Sequence, residues 1–246
     1  MTKNFLVKTA AALSVVLAIS PFASAQTILF QDTFSGTGAL NGTAPSITQP
    51  GVTWVAAAGY NADGTYATSA QSDTAYLSYS FQSGNIYTFT ADLNTTSSSL
   101  IMFIGSSSTN LFGMNNAVGF RLDDGANPNA SLHTFPNGAG VTNWDPSRGT
   151  VVDGLTAQIV LNTGAPQWTV SFNYGGTDYG TFDYTPTPTP TVIGFGAGLF
   201  GGGTGSIDNM TLSVVAVPEP TSLCLLGGLG AVLLVSRRRN GGRAES

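Results

Sequence analysis

The sequence predicts an all-β protein: a two-sheet antiparallel β-sandwich, flanked by an N-terminal signal helix and a C-terminal single transmembrane helix. Three observations predict it. Short segments alternate apolar and polar residues with a period of two, the pattern of half-buried strands. The connectors between them are built from Gly, Asn, Ser and Pro, which favour turns. The two long uncharged runs lie at the ends, each beside basic residues, and nothing between them carries a helical period. The stretch left between the ends, about 190 residues, is long enough to bury one core.

At the N-terminus, Lys3 and Lys8 precede an apolar run from Thr9 to Ile19 and then Ser20-Pro21-Phe22-Ala23-Ser24-Ala25. A basic start, a short apolar run and a small-x-small site make a secretory signal peptide over 1–25, cleaved between Ala25 and Gln26. The run is too short to cross a bilayer.

Four segments of the body alternate cleanly. "AYLSYSF" (75–81) puts Ala75, Leu77, Tyr79 and Phe81 on one face, and "YTFTADL" (87–93) does the same with Tyr87, Phe89, Ala91 and Leu93. "LTAQIVL" (155–161) and "WTVSFNY" (168–174) repeat the pattern. "SLIMFIG" (99–105) is apolar throughout, as a strand covered on both faces would be. "TPTPTPT" (185–191) is followed by further strand-like sequence, so it is read as a connector or edge within the domain rather than a hinge. The sandwich is expected to span 26–216.

The C-terminal segment runs Val217-Pro218-Glu219-Pro220, then fifteen uncharged residues from Thr221 to Val235, then Arg237, Arg238 and Arg239. As a helix the uncharged run is about 22 Å long, short of the hydrocarbon core of about 30 Å. The prolines block upstream extension, and the arginines make up part of the shortfall by reaching the headgroups. Clustered arginines stay on the cytoplasmic side, so the expected topology is outside for the body and inside for 241–246.

This order closely resembles the PEP-CTERM sorting tail of Gram-negative bacteria, also labelled "ice-binding protein C-terminal". The resemblance covers residues 217–240 and implies an exosortase-type membrane protease as partner. It also implies Pro218, Glu219 and Pro220 as the recognition element and Arg237–Arg239 as the cytoplasmic stop. Export across the inner membrane, anchoring by the C-terminal helix, and a cell-surface or extracellular destination after processing follow from it. Separately, "ILFQDTFSG" (28–36) and "GSIDNMTLSVV" (205–215) resemble the first and last strands of concanavalin-like or laminin-G-like jelly rolls. That likeness implies the two pair near the edge of the sandwich.

Composition narrows the function. Residues 26–217 hold eleven Asp and two Arg (Arg121, Arg148), a net charge of −9, with one His and no Lys, Glu or Cys. Such a body lacks the basic footprint of nucleic-acid binding, and it cannot form disulfides in an oxidising compartment. Its only nearby cysteine, Cys224, lies in the apolar run.

Glycosidases commonly pair two carboxyls, and here the aspartates sit mostly in turn-like settings such as Asp63-Gly64 and Asp153-Gly154. His133, in "SLHTFPNG", reads as a surface loop residue, and no Gly-x-Ser-x-Gly elbow accompanies it. Zinc would need several His or Cys ligands. "DDGANPN" (123–129) offers the hard oxygens of Asp123, Asp124, Asn127 and Asn129 for calcium, and is equally ordinary turn chemistry. No catalytic, cofactor or metal site is assigned. A sugar-binding platform could use Trp54, Trp144, Tyr60, Tyr66 or Tyr179, for which core packing is the competing explanation. Ice binding calls for a regular Thr array, and no fixed-period repeat appears.

Three readings stand in order. The first is an exported, non-catalytic surface or matrix protein associated with exopolysaccharide. The second is a lectin-like glycan-binding module, with or without calcium, and the third an Asp-based polysaccharide hydrolase.

Overall fold

The computed structural model describes residues 25–64, 67–69, 73–96, 99–106, 116–123, 131–135, 152, 154–186, 189–198 and 204–217. The expected signal and tail helices, with Pro218, Glu219, Pro220 and Arg237–Arg239, lie outside the described residues. Among the described residues every regular element is a strand, and no helix is long and apolar enough to cross a membrane.

In chain order the strands are β1 (Thr27–Asp32), β2 (Thr37–Ala39), β3 (Val55–Ala56), β4 (Asn61–Asp63) and β5 (Ala67–Ser69). Then come β6 (Asp73–Ser78), β7 (Asn85–Thr96), β8 (Ser99–Gly105), β9 (Ala117–Asp123) and β10 (Ser131–Phe135). The last five are β11 (Leu155–Asn162), β12 (Trp168–Tyr174), β13 (Thr177–Tyr184), β14 (Val192–Gly198) and β15 (Thr204–Ala216). They make a nine-stranded sheet, β13-β12-β11-β7-β15-β5-β4-β2 with β1 also on β15, and a six-stranded sheet, β10-β9-β8-β14-β6-β3. Every described pairing is antiparallel.

The period-two reading accounts for the core between the sheets. Tyr87, Phe89, Ala91 and Leu93 of β7 are buried, as are Ala157, Ile159 and Leu161 of β11 and Val170, Phe172 and Tyr174 of β12. From the other sheet come Leu100, Met102, Ile104, Val118, Phe120 and Leu122. The alternation continues beyond β6, which stops at Ser78 instead of running to 81: Tyr79 packs on the core and Phe81 is buried. Aromatic rings tie the sheets together, Phe120 of β9 lying edge-on to Phe172 of β12 at 5.2 Å, and Trp54 and Tyr60 are each edge-on to Phe195 at 5.5 Å. Each such pair adds about 0.5–1.5 kcal/mol beyond its buried area.

β8 is buried along its whole length, as its unbroken apolar sequence predicted. Leu100, Met102 and Ile104 face the core, while Ile101 and Phe103 join Ala117, Phe135 and Val192 in a second cluster on the sheet's other face.

Two expectations need correction. β1 does pair with β15, from Thr27–Val214 to Asp32–Met210, but β15 lies inside the larger sheet, hydrogen-bonded to β7 along most of its length. Thirteen residues of alternating apolar sequence give β15 two flanks to satisfy. Its ladder with β7 is broken between Asp208 and Thr211, where Asn209 adopts φ 50°. Asn tolerates this left-handed bulge conformation better than most residues.

The second correction concerns His133. It is on β10, opposite Arg121, and is 6% exposed; its Pro/Asn/Gly neighbours follow the strand rather than surround the residue.

Candidate functional site

The outer face of the six-stranded sheet carries three zones in a row. At one end, residues opposite one another on β8, β9 and β10 place Ser99, Asp123 and Ser131 in register, with Arg121 and His133 one pleat further along. The Arg121 Nε donates to Asp123 Oδ1 at 2.8 Å, and the His133 Nε2 lies 3.6 Å from Asp123 Oδ2. The Ser99 hydroxyl also donates to Asp123, and Arg121 reaches Ser99 Oγ at 3.4 Å. Arg121 is 5% exposed, so its charge is neutralised on the spot, as a buried cation requires. Ser99 and His133 both address the same carboxylate. Nucleophile activation needs the imidazole between hydroxyl and carboxylate, and this arrangement puts the carboxylate in the middle. The geometry is that of a structural ion-pair network.

The middle zone is the apolar cluster around Ile101 and Phe103, with Tyr76 packed against it. At the other end lies an open groove of about 770 Å³, within the range of small-ligand sites. β6 contributes Tyr76 and Ser78, and the chain leaving it contributes Tyr79, Ser80 and Gln82. Ser106 follows β8, Thr191 and Val192 open β14, and Gln49 comes from the β2–β3 connection.

Backbone bonds fix this lining: the Tyr79 N–H donates to Thr191 O at 2.8 Å, and the Thr191 N–H to Gly105 O at 2.7 Å. The Gln82 N–H donates to the Tyr87 hydroxyl at 2.9 Å. Burial first, then its hydrogen bond to and the charge of Tyr87, hold the Tyr79 phenol well above the usual range, so it remains a neutral hydroxyl. The lining offers hydroxyls, amides and two tyrosine rings; no lining residue is charged.

A third polar patch sits on the outer face of the nine-stranded sheet, at the β15 bulge. Asp92 and Asp208 are cross-strand partners. Asp92 accepts from the Thr156 hydroxyl and, at 2.8 Å, from Asn209 Nδ2. The Asp208 carboxyl is held above its ordinary value, chiefly by burial and further by Asp92, Asp63 and Asp32, while the Asn209 N–H pulls the other way. This carboxyl pair belongs to the opposite sheet from the groove.

Of the aromatics considered for a sugar platform, Trp54 and Tyr60 are in the core, at 0% and 1% exposure. Trp54 Nε1 donates to Asp32 and Tyr60 Oη accepts the Ala197 N–H at 2.9 Å. Tyr179 is half-buried on edge strand β13. Trp144 and Tyr66 lie outside the described residues, as do Asp124, Asn127 and Asn129 of the calcium reading. Asp123, the described member of that set, is engaged by Arg121 and Ser99. Among the described residues no group of three His, Cys, Asp or Glu could hold a metal ion. Ala25 and Gln26 are exposed at the start of β1, where Gln26 Nε2 donates to Ser213 Oγ at 2.6 Å.

The groove was missed in the sequence, although its signal was there: Tyr76, Ser78, Ser80 and Gln82 are the alternate positions opposite the apolar face of "AYLSYSF".

No protein-family model matches the chain, and no curated protein does. Solved structures do. The chain is similar to an endo-1,3-β-glucanase from Streptomyces sioyaensis at 12% identity, covering 78% of this chain and 97% of that one, with a TM-score of 0.49. It is similar to peanut lectin at 10% identity, 80% and 100% coverage, TM-score 0.45. A lectin from Bauhinia forficata in complex with GalNAc matches at 12% identity, 79% and 100% coverage, TM-score 0.44. With TM-scores below 0.5, none of the three bears on what this chain binds.

Proposed function

We propose that this chain is an exported, non-catalytic surface protein of a Gram-negative bacterium, sorted by its PEP-CTERM tail and handled by an exosortase-type protease. Its jelly-roll sandwich holds a neutral exopolysaccharide in the groove between Tyr76 and Gln82. The observation that carries the binding half is the lining itself: hydroxyls, amides and tyrosine rings with no charged side chain. Sugar hydroxyls pair with such donors and acceptors, and pyranose faces lie against aromatic rings. A carboxylate pair for hydrolysis is not part of that lining. The sorting half is supported by the signal peptide and by the order Val217-Pro218-Glu219-Pro220, apolar run, Arg237–Arg239.

The test is retention of residues 26–217 on a panel of immobilised neutral polysaccharides, beside Gln82→Ala and Tyr76→Ala. Gln82 is exposed, so its truncation leaves the fold intact. Saturable retention of the parent, weakened by both substitutions with thermal unfolding of Gln82→Ala unchanged, is the expected result. Retention indifferent to both substitutions removes the groove as the site.

A further inference from the structure

The domain has almost no stalk. β15 runs to Ala216, and Val217 is bound into the domain: its N–H donates to Gly84 O at 2.9 Å. A Cβ on Gly164 would meet Val217 Cγ2 at 2.6 Å, so the valine side chain lies flat on the Thr163–Gln167 turn. That turn is joined to the Gln82–Asn85 turn through Thr163 Oγ1, which donates to Gln82 O at 2.7 Å. Val217, the last described residue, is therefore a fixed point on one end of the sandwich. Four peptide steps separate Val217 from Thr221, where the uncharged run begins, and they span at most about 14 Å.

Among the described residues the same end of the molecule carries one charged side chain, Asp183. Gln82, Ser83, Gly84, Gly164, Ala165, Pro166 and Gln167 are all exposed, and none carries a charge. The described aspartates gather at the opposite end. Strand register puts Asp92 and Asp208 beside each other in the half of β7 and β15 remote from Val217, and Asp73 opposite Ala197. Asp123 lies opposite Ser99, and Asp178 beside the Gly175-Gly176 turn. Asp183, opposite Thr169, is the exception. An anionic lipid surface repels the end where most of the described carboxylates gather more strongly than the end that carries Asp183. The groove sits at the Val217 end, since Gln82 belongs both to its lining and to the turn that holds Val217.

We infer that, with the tail uncut, the sandwich stands on the lipid surface on its Val217 end. The groove is then held beside the headgroups and closed to long polymers until the connection is cut or lengthened. This rests on the anchoring and groove readings above and adds a regulation to them: the groove is latent on the membrane and opens on release.

The test uses the full chain with Cys224→Ala and Ser83→Cys, reconstituted in nanodiscs of mixed neutral and anionic phospholipid. A second chain carries a flexible Gly/Ser insert of about 20 residues, with a reach of about 25 Å, between Val217 and Pro218. Modification of the Ser83→Cys site by a polyethylene-glycol maleimide is expected to be several-fold slower without the insert. A Thr177→Cys control at the far end reacts alike in both chains. Equal rates at the Ser83→Cys site overturn the orientation, and failure of the chain to enter nanodiscs overturns anchoring and orientation together. Neutral polysaccharide of high molecular weight should be retained by the inserted chain and not by the parent. Equal retention by both overturns the latency. Retention by neither removes the groove reading and the latency with it, while the labelling decides the orientation separately.

Discussion

The indole Nε1 of Trp54 donates to Asp32 Oδ2 at 2.7 Å, inside the sandwich, while Asp32 Oδ1 accepts the Phe34 N–H at 2.9 Å. One buried carboxylate thus holds the ring and the chain reversal after β1, where Phe34 has φ 47°. The ring that the sequence offered as a sugar platform is a structural tie.

Trp54→Phe should therefore change stability and leave binding alone. Phe fills most of the ring's volume but leaves Asp32 Oδ2 without its donor, a loss of about 1–3 kcal/mol. Urea unfolding and polysaccharide retention measured on the same preparation check this. Retention lost at unchanged stability would place Trp54 in the site.

Gly194 on β14 leaves no room for a side chain against β6. A Cβ there would lie 2.1 Å from Ala75 O and 2.8 Å from Tyr76 Cα. Gly194→Ala must push β14 from β6, at a cost of about 1–3 kcal/mol or more. Because Tyr76 lines the groove, weaker retention should accompany the lower Tm. A variant with unaltered Tm would show that the two strands can part freely.

Arg121 and Asp123 should behave as a pair. Asp123→Ala removes the carboxylate from a buried guanidinium and should cost about 3–5 kcal/mol. The double variant Arg121→Met/Asp123→Leu should recover much of that, since neither charge remains to be compensated. Chemical unfolding of both variants decides it: equal losses in the two would mean that burial of the charge is not what Asp123 offsets.

Asp208 gives a pH dependence of known sign. The folded state holds its proton more tightly than the unfolded chain, so the carboxyl opposes folding once ionised. That opposition is absent well below the ordinary value of 3.8 and grows as pH rises through it toward the raised folded value. Asp208→Asn should raise Tm at neutral pH and leave it unchanged in strong acid. The side chain is only partly buried, so the gain should stay under the roughly 2–4 °C that 1 kcal/mol produces in a domain of this size. A gain that persists in acid would assign the effect to something other than charge.

Much of the architecture was legible locally. In "YTFTADL" and "WTVSFNY" each residue's face follows from its neighbours two positions away, because successive side chains of a strand point to opposite sides. The same rule sent Tyr76, Ser78, Ser80 and Gln82 to the face opposite Ala75 and Leu77, and made Arg121 and Asp123 neighbours on β9. The order of prolines, apolar residues and arginines at the C-terminus is likewise linear, and it is the basis of the sorting proposal.

Tertiary structure decided the rest, because it depended on which strands became neighbours. Ser99 meets Asp123 across 24 positions and Trp54 meets Asp32 across 22; no local period encodes such partners. Whether the polar face of "AYLSYSF" met solvent, a core or a groove was settled by the placement of β14 and β8 beside β6. Local sequence specified the strands and their faces. Pairing register, a property of distant segments, determined that Trp54 is a tie, that His133 packs beside the Arg121–Asp123 ion pair, and that the groove opens at the end of the sandwich where Val217 is held.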